Sequence, residues 1–315
     1  MYFTDPLAAR RSFKTVLSAI ISTEFRNSYL RQPDGLTVNN VIRQDPRFFP
    51  FFKDAIGAID GTHMRVNPPT ETRARWRDKD GRLTQNMLAA CNFDMRFVYI
   101  MVGWEGSAAD GFVYNEARVR GGLAVPRGKY YLADAGFASC DTLLVPYRST
   151  RYHLREWEAG RKKWVTTRNG LVSVWRDARP QTKEELFNLR HAQLRNVVER
   201  IFGVLKHEFK LAAEPSDYRI DTQCLIPLSL TILHNFLCAH EPNRVRNKSH
   251  TQMDGLPLTW QDNVGDYIEM MQDEGGIVHG TEEARADARR DGIATAMWSQ
   301  YQSVLAERCN QERRD

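Results

Sequence analysis

The chain has 315 residues, of which 26% are charged and 42% hydrophobic, and its formal net charge is +5. That length can bury a sizeable core in one large domain or two, and the composition is that of an ordinary soluble globular protein. No run approaches the ~18 uninterrupted apolar residues of a membrane span. The N-terminal "MYFTDPLAARRSFK" lacks the apolar core of a secretory signal, and the five cysteines are scattered, odd in number and without a CxxC, which points to a reducing compartment rather than a disulfide framework or zinc site.

Residues 11–30 read as one amphipathic helix, with Val16, Ile20 and Phe25 near helical spacing, and residues 31–50, with Pro33, Gly35, Pro46 and Pro50, read as loop. "AIGAID" (55–60) is an apolar strand candidate that runs into Asp60. "NMLAACNF" (86–93) and "RFVYIMVGW" (96–104) form a hairpin across Asp94-Met95. "ADGFVYNEARVRG" (109–121) reads as a helix stopped by Gly121-Gly122. "KYYLADAGF" (129–137) is a fourth strand running into an Asp, and "TLLVPY" (142–147) is a fifth.

A long helix spans 182–211, opened by a Thr182/Glu185 capping box and striped by Leu194, Val198, Ile201 and Leu205. A more uniformly apolar, buried helix covers 225–240, and a last one covers 282–307. This order, strand, hairpin, helix, two strands, long helix, matches a mixed sheet covered on both faces.

Charge is polarised along the chain. Arg148, Arg151, Arg155, Arg161, Lys162, Lys163 and Arg168 stand against only Glu156 and Glu158, whereas 251–284 holds eight acidic residues and no Lys or Arg. The basic segment reads either as a contact for a phosphate backbone or as a solvated charged loop.

Asp60 reads either as a turn residue or as a charge delivered to a strand end for chemistry. If the first and fourth strands are neighbours, Asp60 and Asp134 share one sheet edge. Like charges placed together are unfavourable unless a cation sits between them, and an all-oxygen site suits Mg²⁺ or Mn²⁺. A third carboxylate comes from Glu199, which at ~100° per residue lies at the edge of the apolar stripe, with His191, Arg195 and Lys206 on its flank as a basic rim. Asp110 is either a fourth candidate or the N-cap or first-turn acid of its helix. His63 reads as a turn hydrogen-bond donor and His234 as a satisfied core histidine. Trp104, Trp157, Trp164 and Trp175 are candidates for base stacking, Trp104 equally for packing.

"AIDGTH", "GWEGSAADGFVYNEA", "YYLADAGF", "YHLREW" and "ELFNLRHAQLRNVVERIFGVLK", in that order, resemble the motifs of the Harbinger (PIF/Harbinger) superfamily of DDE transposases and the nucleases derived from them. The resemblance runs from about residue 50 to 240 and more loosely to "DGIATAMWSQY". It implies an α/β, RNase H-like mixed sheet flanked by helices, here with additional helices at both ends. It implies a catalytic triad of Asp60, Asp134 and Glu199 binding divalent metal, Mg or Mn, with Asp110 a further metal ligand. The chemistry implied is two-metal phosphoryl transfer on DNA, with Asp60 bridging the ions.

The division expected is a short helical segment over 1–50, a truncated DNA-binding region; a nuclease domain over 51–240 with a basic insertion at 148–180; and an acidic linker with a C-terminal helix over 241–315. DNA contacts are expected from Arg148, Arg151, Arg161, Lys162 and Lys163. The stretch 160–178 matches none of the family's motifs. A Myb-like DNA-binding partner protein, a homo-oligomer and a nuclear location follow from the resemblance. The alternative is a domesticated or decayed copy that binds DNA or protein without cutting.

Overall fold

The structure, a computed structural model, describes residues 5–152, 162–167, 170–175, 179–241 and 280–312. The sheet is built from β1 (Ala55–Arg65), β2 (Thr84–Cys91), β3 (Phe97–Glu105), β4 (Tyr130–Leu132) and β5 (Leu143–Leu144), in the order β3-β2-β1-β4-β5. β1, β2 and β3 are antiparallel, and β4 and β5 run parallel to β1. The mixed sheet with helices on its faces is an RNase H-like α/β fold.

Three sequence expectations need correction. The helix expected over 11–30 is two, α1 (Pro6–Ile20) and α2 (Thr23–Tyr29), because Ser22 leaves the helical conformation and its hydroxyl accepts from the Phe25 amide. The loop over 31–50 contains a single turn of helix, α3 (Asn40–Arg43), capped by Asn39. β1 does not stop at Asp60: it runs on to Arg65, paired with β2 as far as Arg65↔Thr84. Asp60 is therefore a mid-strand residue opposite Ala89, not a turn residue.

One layer of core lies between the sheet and the long helices α5 (Lys183–Glu208) and α7 (Ile220–His240), built from Ala58, Met64, Met87, Ala89, Leu194, Val198, Ile201 and Leu230. The other lies under α4 (Asp110–Val119), where Ile59, Leu88, Ala90, Val113, Ala117 and Tyr131 meet. α6 is the short Lys210–Ala213. At the far edge, α8 (Gly280–Glu312) runs alongside β5, and Arg289 donates to the carbonyls of Cys140, Asp141 and Leu143. Occupying those acceptors blunts an edge that would otherwise template pairing with another chain.

The stretch 160–178 contributes a separate antiparallel pair, β6 (Lys162–Thr167) and β7 (Gly170–Trp175), in register Lys162↔Trp175. Arg161, Trp157 and most of the acidic stretch 241–284 lie outside the described residues.

Candidate active site

Two apolar runs bring the first two carboxylates level. β1 and β4 are parallel neighbours with Ala58 opposite Leu132, and Asp60 and Asp134 each stand two residues further along. β4 ends at Leu132, so Asp134 sits just beyond the strand, where its Oδ1 accepts from the Gly136 amide at 2.8 Å. α5 lies on the Asp60 face of β1: the Lys206 ammonium donates to Thr62 Oγ1 at 2.8 Å, and Thr62 shares a face with Asp60 by strand alternation. Glu199, seven residues earlier on the same helix, is 44% exposed at the rim of that face.

The three carboxylates converge on one guanidinium. Arg195 Nη2 lies 2.6 Å from Asp60 Oδ2 and 3.9 Å from Asp134 Oδ2, and Nη1 lies 2.5 Å from Glu199 Oε1. Arg195 is thus the centre of the cluster, not part of a rim. Burial works against its charge, but Asp60, Tyr152, Glu199 and Asp134 outweigh it and hold the guanidinium firmly protonated. Burial pushes Asp60 well above the usual carboxylate range; Arg195 opposes this, and the charges of Asp134, Asp110 and Glu199 add to it.

Asp110 reaches the cluster from the other side. It opens α4, but the N-cap is Ala109 and no side chain caps the helix. Its carboxylate instead accepts from Asn86 Nδ2 at 2.7 Å and lies on β1 over Gly61, where an added Cβ would fall inside it. Gly61 faces away from Asp60 by strand alternation, so Asp110 and Asp60 flank β1 from opposite faces. Sequence reading missed both Gly61, taken as turn chemistry, and Asn86, an unremarked polar residue in a buried strand.

Burial raises the Asp110 pKa to about 6, with repulsion from Asp134 adding and the Asn86 hydrogen bond opposing. The folded state therefore holds this proton more tightly than the unfolded chain. The associated stability is present below the unfolded value of 3.8 and is lost as pH rises through about 6. In EDTA, chemical denaturation should show stability falling from pH 4 to pH 7, Asp110 accounting for on the order of 2 kcal/mol. Asp110→Asn should flatten that fall; an unchanged slope would place its source elsewhere.

The remaining candidates settle into structural contacts. His191 is fully buried, its Nε2 bonded to the Leu144 carbonyl, and burial lowers its pKa to about 3, so it adds no charge to a rim. Burial lowers Lys206 to about 8. His63 lies within β1, its Nδ1 3.0 Å from Thr84 Oγ1, and His234 Nε2 bonds the Met95 carbonyl. Trp104 packs edge-on against the half-exposed Phe112.

Of the basic residues, Arg148 is exposed. Arg151 is 5% exposed and ion-paired to Glu185 at 3.0 Å, so it helps to anchor the start of α5. Lys162 and Lys163 lie on the backbone of β6.

The donor set is all carboxylate oxygen, the chemistry of a hard divalent cation; burial first, and repulsion between the carboxylates second, raise Asp60 and Asp110, and a bound cation would offset both. In position, however, no three His, Cys, Asp or Glu side chains among the described residues stand close enough to hold a metal ion. The charge at the centre is that of Arg195.

Comparison with known proteins finds a family described as "DDE superfamily endonuclease" matching residues 59–235. A "Protein ALP1-like" of Arabidopsis thaliana is 26% identical over 135 residues, which cover 38% of this chain and 33% of that protein. The match thus spans about a third of that relative's length. No solved structure matches.

Proposed function

The chain belongs to the DDE superfamily endonucleases, with motifs of the Harbinger type, and from that premise we propose that it cuts DNA, and joins cut ends to DNA, by divalent-metal-dependent phosphoryl transfer. The observation that carries this reading is the convergence of Asp60, Asp134 and Glu199, from two adjacent parallel strands and a facing helix, on one point. Asp60, Asp134 and Glu199 would hold the cation, with Asp110 behind β1 as a further acidic neighbour. Mg²⁺ or Mn²⁺, when bound, supplies activation of a water or 3′-hydroxyl and stabilisation of the leaving oxygen. The protein supplies position and charge: Asp60 and Asp134 are held level by the β1–β4 register, and Glu199 is carried in by α5. The Harbinger resemblance implies nuclear DNA as the substrate, and a Myb-like partner would supply sequence recognition.

A second reading is a transposase-derived module that grips DNA or a partner without cutting. It is favoured by the Arg195-centred arrangement, in which no three acidic side chains among the described residues are poised around a metal position. A labelled duplex separates the two: binding measured by anisotropy in EDTA, and product measured in Mn²⁺ from the same preparation. Binding with no product, even with a Myb-like partner added, sinks the enzyme reading.

DNA binding, with or without cutting, needs a surface for the phosphate backbone, and we assign part of it to the 148–180 segment. Arg151 is committed to Glu185, so the contribution rests on Arg148, Arg161, Lys162 and Lys163. Replacing Arg161, Lys162 and Lys163 with Ala should weaken binding to all sequences alike and reduce the salt dependence by up to about three units of slope. An unchanged slope makes the segment a solvated hairpin.

A further inference from the structure

Arg195 sits where any cation serving these carboxylates would have to place its charge. Its side chain is 4% exposed, it spans Asp60 and Glu199 at 2.6 and 2.5 Å, and it stands 3.9 Å from Asp134. Tyr152, the first residue of "YHLREW", lies close enough to the same guanidinium to interact with it electrostatically. Charge-assisted hydrogen bonds from a desolvated arginine are among the strongest a carboxylate accepts, and Arg195 makes one to each of two carboxylates. A divalent cation needs the same oxygens at about 2.0–2.6 Å, and two cations at that range repel each other strongly at low dielectric.

We propose that Arg195 is a resident counter-cation, and that a divalent metal loads the site only by displacing its guanidinium from Asp60 and Glu199. The inference rests on the proposed metal-dependent function and adds to it: the arginine and the metal are alternative occupants of one carboxylate set. The fold permits the exchange. Glu199 is 44% exposed at the solvent rim, so the guanidinium nitrogen bonded to it is the one nearer solvent. Loading is then weak by construction, since each metal ion must break two charge-assisted hydrogen bonds and expel a buried positive charge.

The test uses the full chain and Mn²⁺ alone, without DNA. Phenylglyoxal labelling followed by peptide mass spectrometry reads Arg195 directly in the parent protein. Arg195 should be protected in EDTA and become reactive at saturating Mn²⁺; protection that persists while Mn²⁺ is bound overturns the proposal. Free Mn²⁺ followed by electron paramagnetic resonance gives the affinity. Arg195→Gln should bind Mn²⁺ at least tenfold more tightly than the parent, and Arg195→Lys, which keeps the charge but cannot span both carboxylates, should fall between them.

Equal or weaker binding by Arg195→Gln would make the arginine an organiser of the carboxylates, not a competitor. Should Arg195→Gln fail to fold, the labelling of the parent decides. Mn²⁺ binding by both proteins without labelling overturns the exchange alone. Binding by neither, or binding that survives Asp60→Asn, overturns the metal reading together with it.

Discussion

Replacing Asp60 with Asn, Asp134 with Asn or Glu199 with Gln should lower Mn²⁺-dependent strand cleavage by about a thousandfold or more, the size expected when several kcal/mol of transition-state stabilisation is lost at about 1.4 kcal/mol per tenfold. Each change keeps the side-chain shape and removes one negative charge from the cluster around Arg195. DNA binding should hold or improve, because the acidic centre repels a polyanion and the basic surface is untouched. Asp60→Asn carries a second effect, since it withdraws the carboxylate at 2.6 Å from a 4% exposed guanidinium. A buried charge that loses one partner destabilises the fold, so this variant should also melt earliest of the three. Cleavage measured on folded protein, with binding measured in parallel, separates the two effects. A variant that cuts as well as the parent would remove its residue from the site.

Gly61→Ala should be nearly as damaging, by a different route. The new methyl group would occupy the space of the Asp110 carboxylate, while β1 is held to β2 through Gly61↔Leu88 and Asp110 is tethered to Asn86. Overpacking of this kind costs about 1–3 kcal/mol, and displacing Asp110 changes the charge behind Asp60. Denaturation should therefore show a stability loss of that order, with a large loss of cleavage. The double variant Gly61→Ala/Asp110→Ala should recover the stability, because the obstructing carboxylate is gone, but not the cleavage if Asp110 serves the site. A fully active, fully stable Gly61→Ala would show that Asp110 can be moved at no cost.

The parts of this molecule that were legible in the sequence are those written in local pattern. "AIGAID" and "YYLAD" are apolar runs meeting an Asp, and the structure sets them side by side with both carboxylates level. Thr182 does accept from the Glu185 amide at the start of α5, as a capping residue should. The helical phase that put Glu199 at the edge of the apolar stripe agrees with its exposure in the fold.

What could not be read depends on neighbours distant in sequence. Asp-Gly after an apolar run is ordinary turn chemistry. It is mid-strand here because Thr62 and Met64 continue the alternation against β2, and because the glycine leaves room for a residue 49 positions away, Asp110. The same helical phase put Arg195 on the flank of α5, but its burial against Asp60 of β1 is tertiary, which no property of the helix reveals. Arg151 looked like one more surface cation in a basic run, and only tertiary contact with Glu185 takes it out of solvent. "KKWVTT" and "GLVSVW" alternate as a hairpin should and pair as β6 and β7, but the dense charge around them is equally the signature of a solvated loop.

The most direct measurement is the fate of supercoiled plasmid DNA incubated with the purified chain in Mn²⁺ or in EDTA, followed by polymerase extension from any nick. Water attacking phosphorus with departure of the 3′-oxygen leaves a 3′-hydroxyl, so the account predicts nicked circles in Mn²⁺ whose ends prime synthesis, and intact supercoils in EDTA and with Asp134→Asn. Nicking of equal extent in EDTA, or nicks that cannot prime, would contradict it.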